Sequence, residues 1–164
     1  MSQTKTIINK PFKLNKMTNK LPEFNISLKY KGKKSDLKII DSPQSAADIC
    51  RLCFDADKID WIESFIVIAL NNANKVLGFY KVSSGGVTGT VADPKVIFQF
   101  ALLSNASAIV IAHNHPSGAL IPSQADKNIT NKINEASKML DIKLLDHIII
   151  TDESFYSFSE NNLL

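Results

Sequence analysis

Residues 112–126 read Ala112-His113-Asn114-His115-Pro116-Ser117-Gly118-Ala119-Leu120-Ile121-Pro122-Ser123-Gln124-Ala125-Asp126. The apolar run Ile109-Val110-Ile111-Ala112 that leads into this stretch has the composition of a buried strand. His113 and His115 leave the end of that strand two residues apart, and side chains at i and i+2 of an extended chain share a face. Pro116 and Gly118 mark a turn. Ser123 then opens a helix in which Ile129, Ile133, Ala136 and Leu140 recur at helical spacing, and Asp126 falls on the same inward stripe. A carboxylate facing a core is costly unless something positive pairs with it. Two imidazoles and a carboxylate converging on one point make three ligands for a divalent ion, and zinc suits that donor set best. Three protein ligands leave a fourth position for water, as catalytic sites do and closed structural sites do not. Ser123 and Asp126 also fit a plain helix N-cap with an acidic residue in the first turn. A His-x-His pair alone is common on surfaces. The metal reading rests on the combination of strand end, turn, helix start and inward face.

Upstream, Phe65-Ile66-Val67-Ile68-Ala69-Leu70 is the strongest apolar run and reads as the core of a central strand spanning Trp61 to Leu70. Asn71 to Asn74 has hairpin-turn composition, and Lys75 to Val82 reads as the returning strand. Ser42-Pro43 and Asp93-Pro94 each pair an N-cap with proline at the first helical position. They predict helices from residue 43 to about Phe54 and from Val96 to Leu103. Asp55 to Asp60 reads as a polar loop. The glycine-rich stretch Ser83 to Thr90 fits neither a dinucleotide fingerprint nor a P-loop, and reads as a bend. Leu144 to Thr151 and Phe155 to Phe158 are further strands. Helices interspersed with strands predict an α/β sandwich with a mixed sheet.

The chain has 164 residues, which suits one domain with a full core. No apolar run approaches the roughly 20 residues of a membrane span, and the lysine-bearing N-terminus has no apolar h-region. The default expectation is a soluble, cytoplasmic protein that does not engage a membrane. Cys50 and Cys53 form a C-x-x-C pair inside a predicted helix with no second pair. They read as small packed thiols rather than a redox motif or half a zinc site. Residues 1–38 hold ten lysines against Glu23 and Asp36, a net +8, which leaves −5 for the rest of a chain whose total is +3. Residues 1–22 read as a basic disordered tail and 23–164 as the folded domain. Asn25 to Tyr30 alternates like an edge strand, and Leu37 to Ile40 reads as its partner. A basic arm over residues 1–38 is compatible with nucleic-acid binding, although a solvated tail fits as well.

His113-x-His115-x7-Ser123-x-x-Asp126 resembles the signature of the JAB1/MPN/Mov34 metalloenzymes, the JAMM motif. The form His113-Asn114-His115-Pro116-Ser117-Gly118 is similar to that of the RadC branch. The resemblance runs from about Asp41 to Phe158. It takes in Asn71 to Val76, Ser84 to Thr90 and Asp146-His147-Ile148-Ile149. It implies the JAB/MPN fold, related to the cytidine-deaminase-like layout, and zinc (Zn2+) on His113, His115 and Asp126. JAMM enzymes of known activity cleave peptide or isopeptide bonds, so it implies a zinc metallopeptidase or amide hydrolase acting on a peptide or protein substrate. The family places a glutamate at the start of the strand that follows a helix, which points to Glu63 as general base. By pattern alone, Glu63 would be a solvated strand-end carboxylate. Ser123 is implied as a donor to the substrate carbonyl, besides capping its helix. His147 reads as a packed strand histidine or as a supporting group, with packing favoured. Asn114 and Ser117 read as loop-orienting groups or as turn-formers, with turn-forming favoured. The RadC branch carries a DNA-repair label and often a helix-hairpin-helix part. Met1 to Lys38 holds no such glycine pattern, which counts against a repair role. A DNA-associated module and a metal-free interaction scaffold are the alternatives, and the intact ligand set argues against the scaffold.

Overall fold

The computed structural model describes residues 38–85 and 91–164. The expected tail over residues 1–22, the expected strand from Asn25 to Tyr30 and most of the glycine-rich stretch lie outside the described residues. Along the chain come α1 (Pro43–Arg51), β1 (Ser64–Leu70), β2 (Val76–Ser84), α2 (Pro94–Leu103), β3 (Ala108–Asn114), α3 (Gln124–Met139), β4 (Lys143–Ile150) and β5 (Phe155–Ser157). The sheet order is β2-β1-β3-β4-β5. β1 runs antiparallel to β2 and β3, β3 runs parallel to β4, and β5 returns antiparallel. This is the mixed α/β sheet expected. Among the described residues, no helix is long and apolar enough to cross a membrane.

All seven residues of β1 and all seven of β3 are buried, because both faces of the sheet are covered. Ile66, Ile68, Leu70, Val110 and Ala112 face α1 with Ala46, Ala47, Ile49 and Cys50. Phe65, Val67, Ile109 and Ile111 face α2 and α3 with Ile97, Phe98, Ala101 and Ile133. Each fully buried aliphatic side chain contributes about 1.5–3 kcal/mol relative to exposure. Local signals start the helices where expected. Ser42 caps α1 through a reciprocal box with Ser45, Asp93 caps α2 through the Lys95 N–H, and Ser123 caps α3 through a reciprocal box with Asp126.

The structure differs from expectation at several ends, among them that of α1, which stops at Arg51 rather than at about Phe54. β1 begins at Ser64, not Trp61, and Trp61 is 64% exposed. A short 3₁₀ turn at Ala56–Lys58 leads into further turns. The carbonyls of Ile59 and Ile62 in this segment are taken by Asn114 Nδ2, at 2.6 and 2.9 Å, rather than by a neighbouring strand. Leu140 is not on the inward stripe of α3. It is the C-cap residue, 40% exposed, and the chain turns away at Asp141 with φ +53°. Lys38–Ile40 makes a single bridge, Ile39 to Lys75, at the foot of β2. The hairpin at Asn71–Asn74 forms as expected. Asn71 Oδ1 accepts from the Ala73 and Lys75 N–H groups, and Asn74 takes φ +54°.

Cys50 is buried and Cys53 half-buried, and both are free thiols. Burial pushes the Cys50 thiol well above its ordinary range, helped by Cys53 and Asp146, and pushes Cys53 up to about 11. Thiols held neutral in this way are inert packing groups, as the sequence suggests.

Candidate metal centre

β3 delivers the two histidines. His113 lies opposite Phe65 of β1 and beside Ile149 of β4, and it is almost fully buried. Its ring stacks on Phe65, with centroids 5.8 Å apart and planes within 4°. His115 lies one residue past the strand, yet its N–H still donates to the Ile150 carbonyl at 3.0 Å, so the chain stays aligned with β4. Both imidazoles therefore reach the same end of the sheet. A turn follows, in which the Gly118 N–H donates to the His115 carbonyl and Gly118 adopts φ +75°, a conformation that favours glycine. The turn brings the Ala119 carbonyl to 2.6 Å from His115 Nδ1.

α3 delivers the carboxylate from its first turn. Asp126 Oδ2 accepts from the Ser123 N–H at 2.7 Å and from the Ser123 hydroxyl at 2.6 Å. Asp126 Oδ1 stands 3.2 Å from His113 Nε2. His113 Nε2 and His115 Nε2 are 2.9 Å apart, and His115 Nε2 is 3.8 Å from Asp126 Oδ2. One donor atom from each residue lies within 4.8 Å of the others. Tetrahedral bonds of about 2.0–2.1 Å would set ligands about 3.3 Å apart, close to these separations. The cap and the ligand readings of Asp126 therefore coexist, one oxygen serving each.

The donor chemistry fits a cation. A carbonyl only accepts, so the contact with Ala119 O puts a proton on His115 Nδ1. A neutral ring then presents a bare Nε2. Two Nε2 atoms and a carboxylate oxygen facing one another within these distances repel unless a proton or a metal ion sits among them. Burial alone would raise the Asp126 carboxyl. The bond and charge of His113 and the two bonds from Ser123 outweigh it, and hold the carboxyl well below the usual range.

Ser123 is where the sequence places it. Its hydroxyl accepts from the Asp126 N–H at 3.2 Å while donating to Asp126 Oδ2, so in this arrangement it orients the carboxylate. Glu63 is half-buried, immediately before β1. Its carbonyl accepts from the Gly85 N–H at 2.9 Å. The β1–β3 pairing stops at Phe65 with His113, and Glu63 lies two residues before that pair, at the end of β1 beside the strand end that carries His113.

Two residues have larger parts than their sequence context indicates. Asn114 is not a turn-former. It ends β3, fully buried, and bonds the segment ahead of β1. His147 is packed, as favoured, with its ring stacked 4.4 Å from that of Phe158. It is also hydrogen-bonded to His113, Nε2 to Nδ1 at 2.8 Å. Burial depresses its basicity well below the usual range, reinforced by the charge of His113. Its position three residues after Leu144 in an apolar strand gives no hint of that bond.

The family comparison bears directly on this geometry. The RadC-like JAB domain family matches residues 40–163. The chain belongs to the RadC-like JAB domain family. A UPF0758 protein of Flavobacterium johnsoniae is 48% identical over 101 residues, which cover 62% of this chain and 44% of that protein. A UPF0758 protein of Clostridium perfringens is 39% identical over 118 residues, covering 72% of this chain and 52% of its own length. The UPF0758 protein YfjY of Escherichia coli is 39% identical over 102 residues, covering 62% of this chain and 64% of its own length. The chain thus spans about half the length of several curated relatives that it matches. Among the described residues, His113, His115 and Asp126 form a group that could hold a metal, and they come from the end of β3, the residue just past it and the first turn of α3.

Proposed function

We propose that this JAB domain is a zinc-dependent amide hydrolase, a peptidase or isopeptidase acting on a peptide or protein substrate. The convergence of His113 Nε2, His115 Nε2 and Asp126 Oδ1 carries the reading. Two imidazoles and one carboxylate suit zinc and leave a position open for chemistry. Zinc held there would supply Lewis acidity and an acidified water at neutral pH.

The chain's own groups supply the rest. Glu63, at the mouth of β1, takes a proton from the attacking water and returns it to the leaving amine nitrogen as the C–N bond breaks. Ser123 holds Asp126 in place through Oδ2. On substrate binding its hydroxyl turns toward the carbonyl oxygen, whose negative charge grows as the tetrahedral species forms. His113 is held by Phe65 and His147, so its Nε2 is fixed before any ligand arrives.

A library of amide and isopeptide substrates, assayed with zinc-loaded parent and with Glu63→Gln, tests the reading. Cleavage by the parent that is abolished by chelator and by Glu63→Gln is the expected result. Zinc-loaded parent that cleaves no member of the library contradicts it.

A further inference from the structure

His113 and Asp126 are joined by a second route, away from the face on which they converge. His113 Nδ1 meets His147 Nε2 at 2.8 Å, His147 Nδ1 meets Thr130 Oγ1 at 2.6 Å, and Thr130 Oγ1 meets the Asp126 carbonyl at 2.6 Å. His147 and Thr130 are fully buried, one on β4 and the other one helical turn beyond Asp126 on α3.

The direction of every bond in this chain follows from its last member. A carbonyl oxygen only accepts, so the Thr130 hydroxyl gives its single proton to the Asp126 carbonyl. Thr130 Oγ1 must then accept from His147 Nδ1–H. With its proton on Nδ1, a neutral His147 has a bare Nε2, and that atom can only accept from His113 Nδ1–H. When His113 is neutral its one proton is therefore held away from the site, and its Nε2 lone pair points at His115 and Asp126. His115 reaches the same state by a shorter route, through Ala119 O.

We infer that His147 and Thr130 are positioning residues for metal binding: they lock His113 in the one tautomer whose Nε2 can ligate, and they tie that ligand to the backbone of the third. This inference rests on the metal-centre reading above. The device differs from the commoner one, in which a ligating histidine donates directly to a carboxylate or carbonyl. Here an imidazole is interposed, and an imidazole can turn its tautomer around. Only the Thr130 hydroxyl, fixed by the carbonyl, prevents that. Without it, His147 is free to carry its proton on Nε2 and donate to His113 Nδ1, which moves the His113 proton onto the ligating nitrogen. The lock therefore depends on one hydroxyl that touches no ligand atom of the centre.

Thr130→Val tests this, since it keeps the side chain's shape and removes only the hydroxyl, with Thr130→Ser as the conservative variant. Zinc affinity is measured by competition with a chromophoric chelator, on proteins shown to be folded by thermal unfolding. Imidazole ¹⁵N–¹H spectra of the metal-free proteins report which nitrogen of His147 carries the proton. The expected result is Nδ1–H on His147 in the parent, zinc affinity about 10-fold or more weaker in Thr130→Val, and affinity near the parent's in Thr130→Ser. Folded Thr130→Val that binds zinc as tightly as the parent overturns the inference alone, as does a parent His147 protonated on Nε2. A parent that binds no zinc overturns the metal-centre reading and this inference with it.

Discussion

The backbone N–H of Ser64 donates to Asn114 Oδ1 at 2.8 Å, tying the residue after Glu63 to the residue between His113 and His115. Both hydrogens of the same amide go to carbonyls of the preceding segment, Ile62 and Ile59. One buried side chain thus fixes the chain on both sides of Glu63. Asn114→Asp replaces two donors with acceptors that face two carbonyls. Each unsatisfied buried group costs about 1–3 kcal/mol, so a loss of about 3 kcal/mol or more in urea unfolding is expected. Zinc affinity should change little, because β1 and β4 hold the histidines. Turnover should fall with the misplacement of Glu63.

Glu63→Gln removes the proton acceptor and keeps the shape. Zinc content and melting temperature should match the parent, while turnover on an amide substrate falls by roughly 100-fold or more. Turnover at the parent rate would leave Glu63 a surface carboxylate at the end of β1.

Asp126→Asn separates capping from ligation. Without metal, Asp126 is not an orphaned charge, because Ser123 donates to it twice. Its carboxyl is lower in the folded than in the unfolded chain. The carboxylate therefore stabilises the fold above the ordinary carboxylate range, and that contribution is lost as pH falls through and below it. In chelator at neutral pH, Asp126→Asn should melt slightly below the parent. Zinc should raise the melting temperature of the parent and leave the variant almost unmoved. Equal rises in both would make Asp126 a cap only.

The cysteines give a prediction of opposite sign. Their thiols are raised in the folded state by burial, Cys53 from 9.0 to about 11 and Cys50 well above its ordinary range. The fold keeps that contribution below about pH 9 and loses it as pH rises toward the folded values. Stability should decline through this alkaline window, and Cys53→Ala should flatten the decline. Alkylation at pH 8 should be slow in native protein and fast in urea. Rapid native alkylation of Cys50 would contradict its burial.

The convergence of His113, His115 and Asp126 was legible because the three residues obey local rules. His113 and His115 alternate off a buried strand, and Asp126 falls in the first turn of a helix whose cap and inward stripe are visible in sequence. β1 and β3 were legible as apolar runs, and the helix starts as capping residues followed by proline. Asn114 was not, because its partners lie 50, 52 and 55 residues away and its composition suggests a turn. For the same reason the apolar pattern places the start of β1 too early: Trp61 and Ile62 belong to a segment held by a side chain from another strand. His147 bonds residues 34 and 17 positions distant, and no periodicity encodes such contacts. Leu140 matched the helical spacing, but Asp141 turns the chain before the stripe is complete.

The central claim is that His113, His115 and Asp126 hold one zinc ion. Elemental analysis of protein equilibrated with zinc and freed of excess by gel filtration tests it most directly. One zinc per chain in the parent, and essentially none in His113→Ala, is the result predicted. A parent that retains no zinc, or a His113→Ala variant that retains as much as the parent, would contradict it.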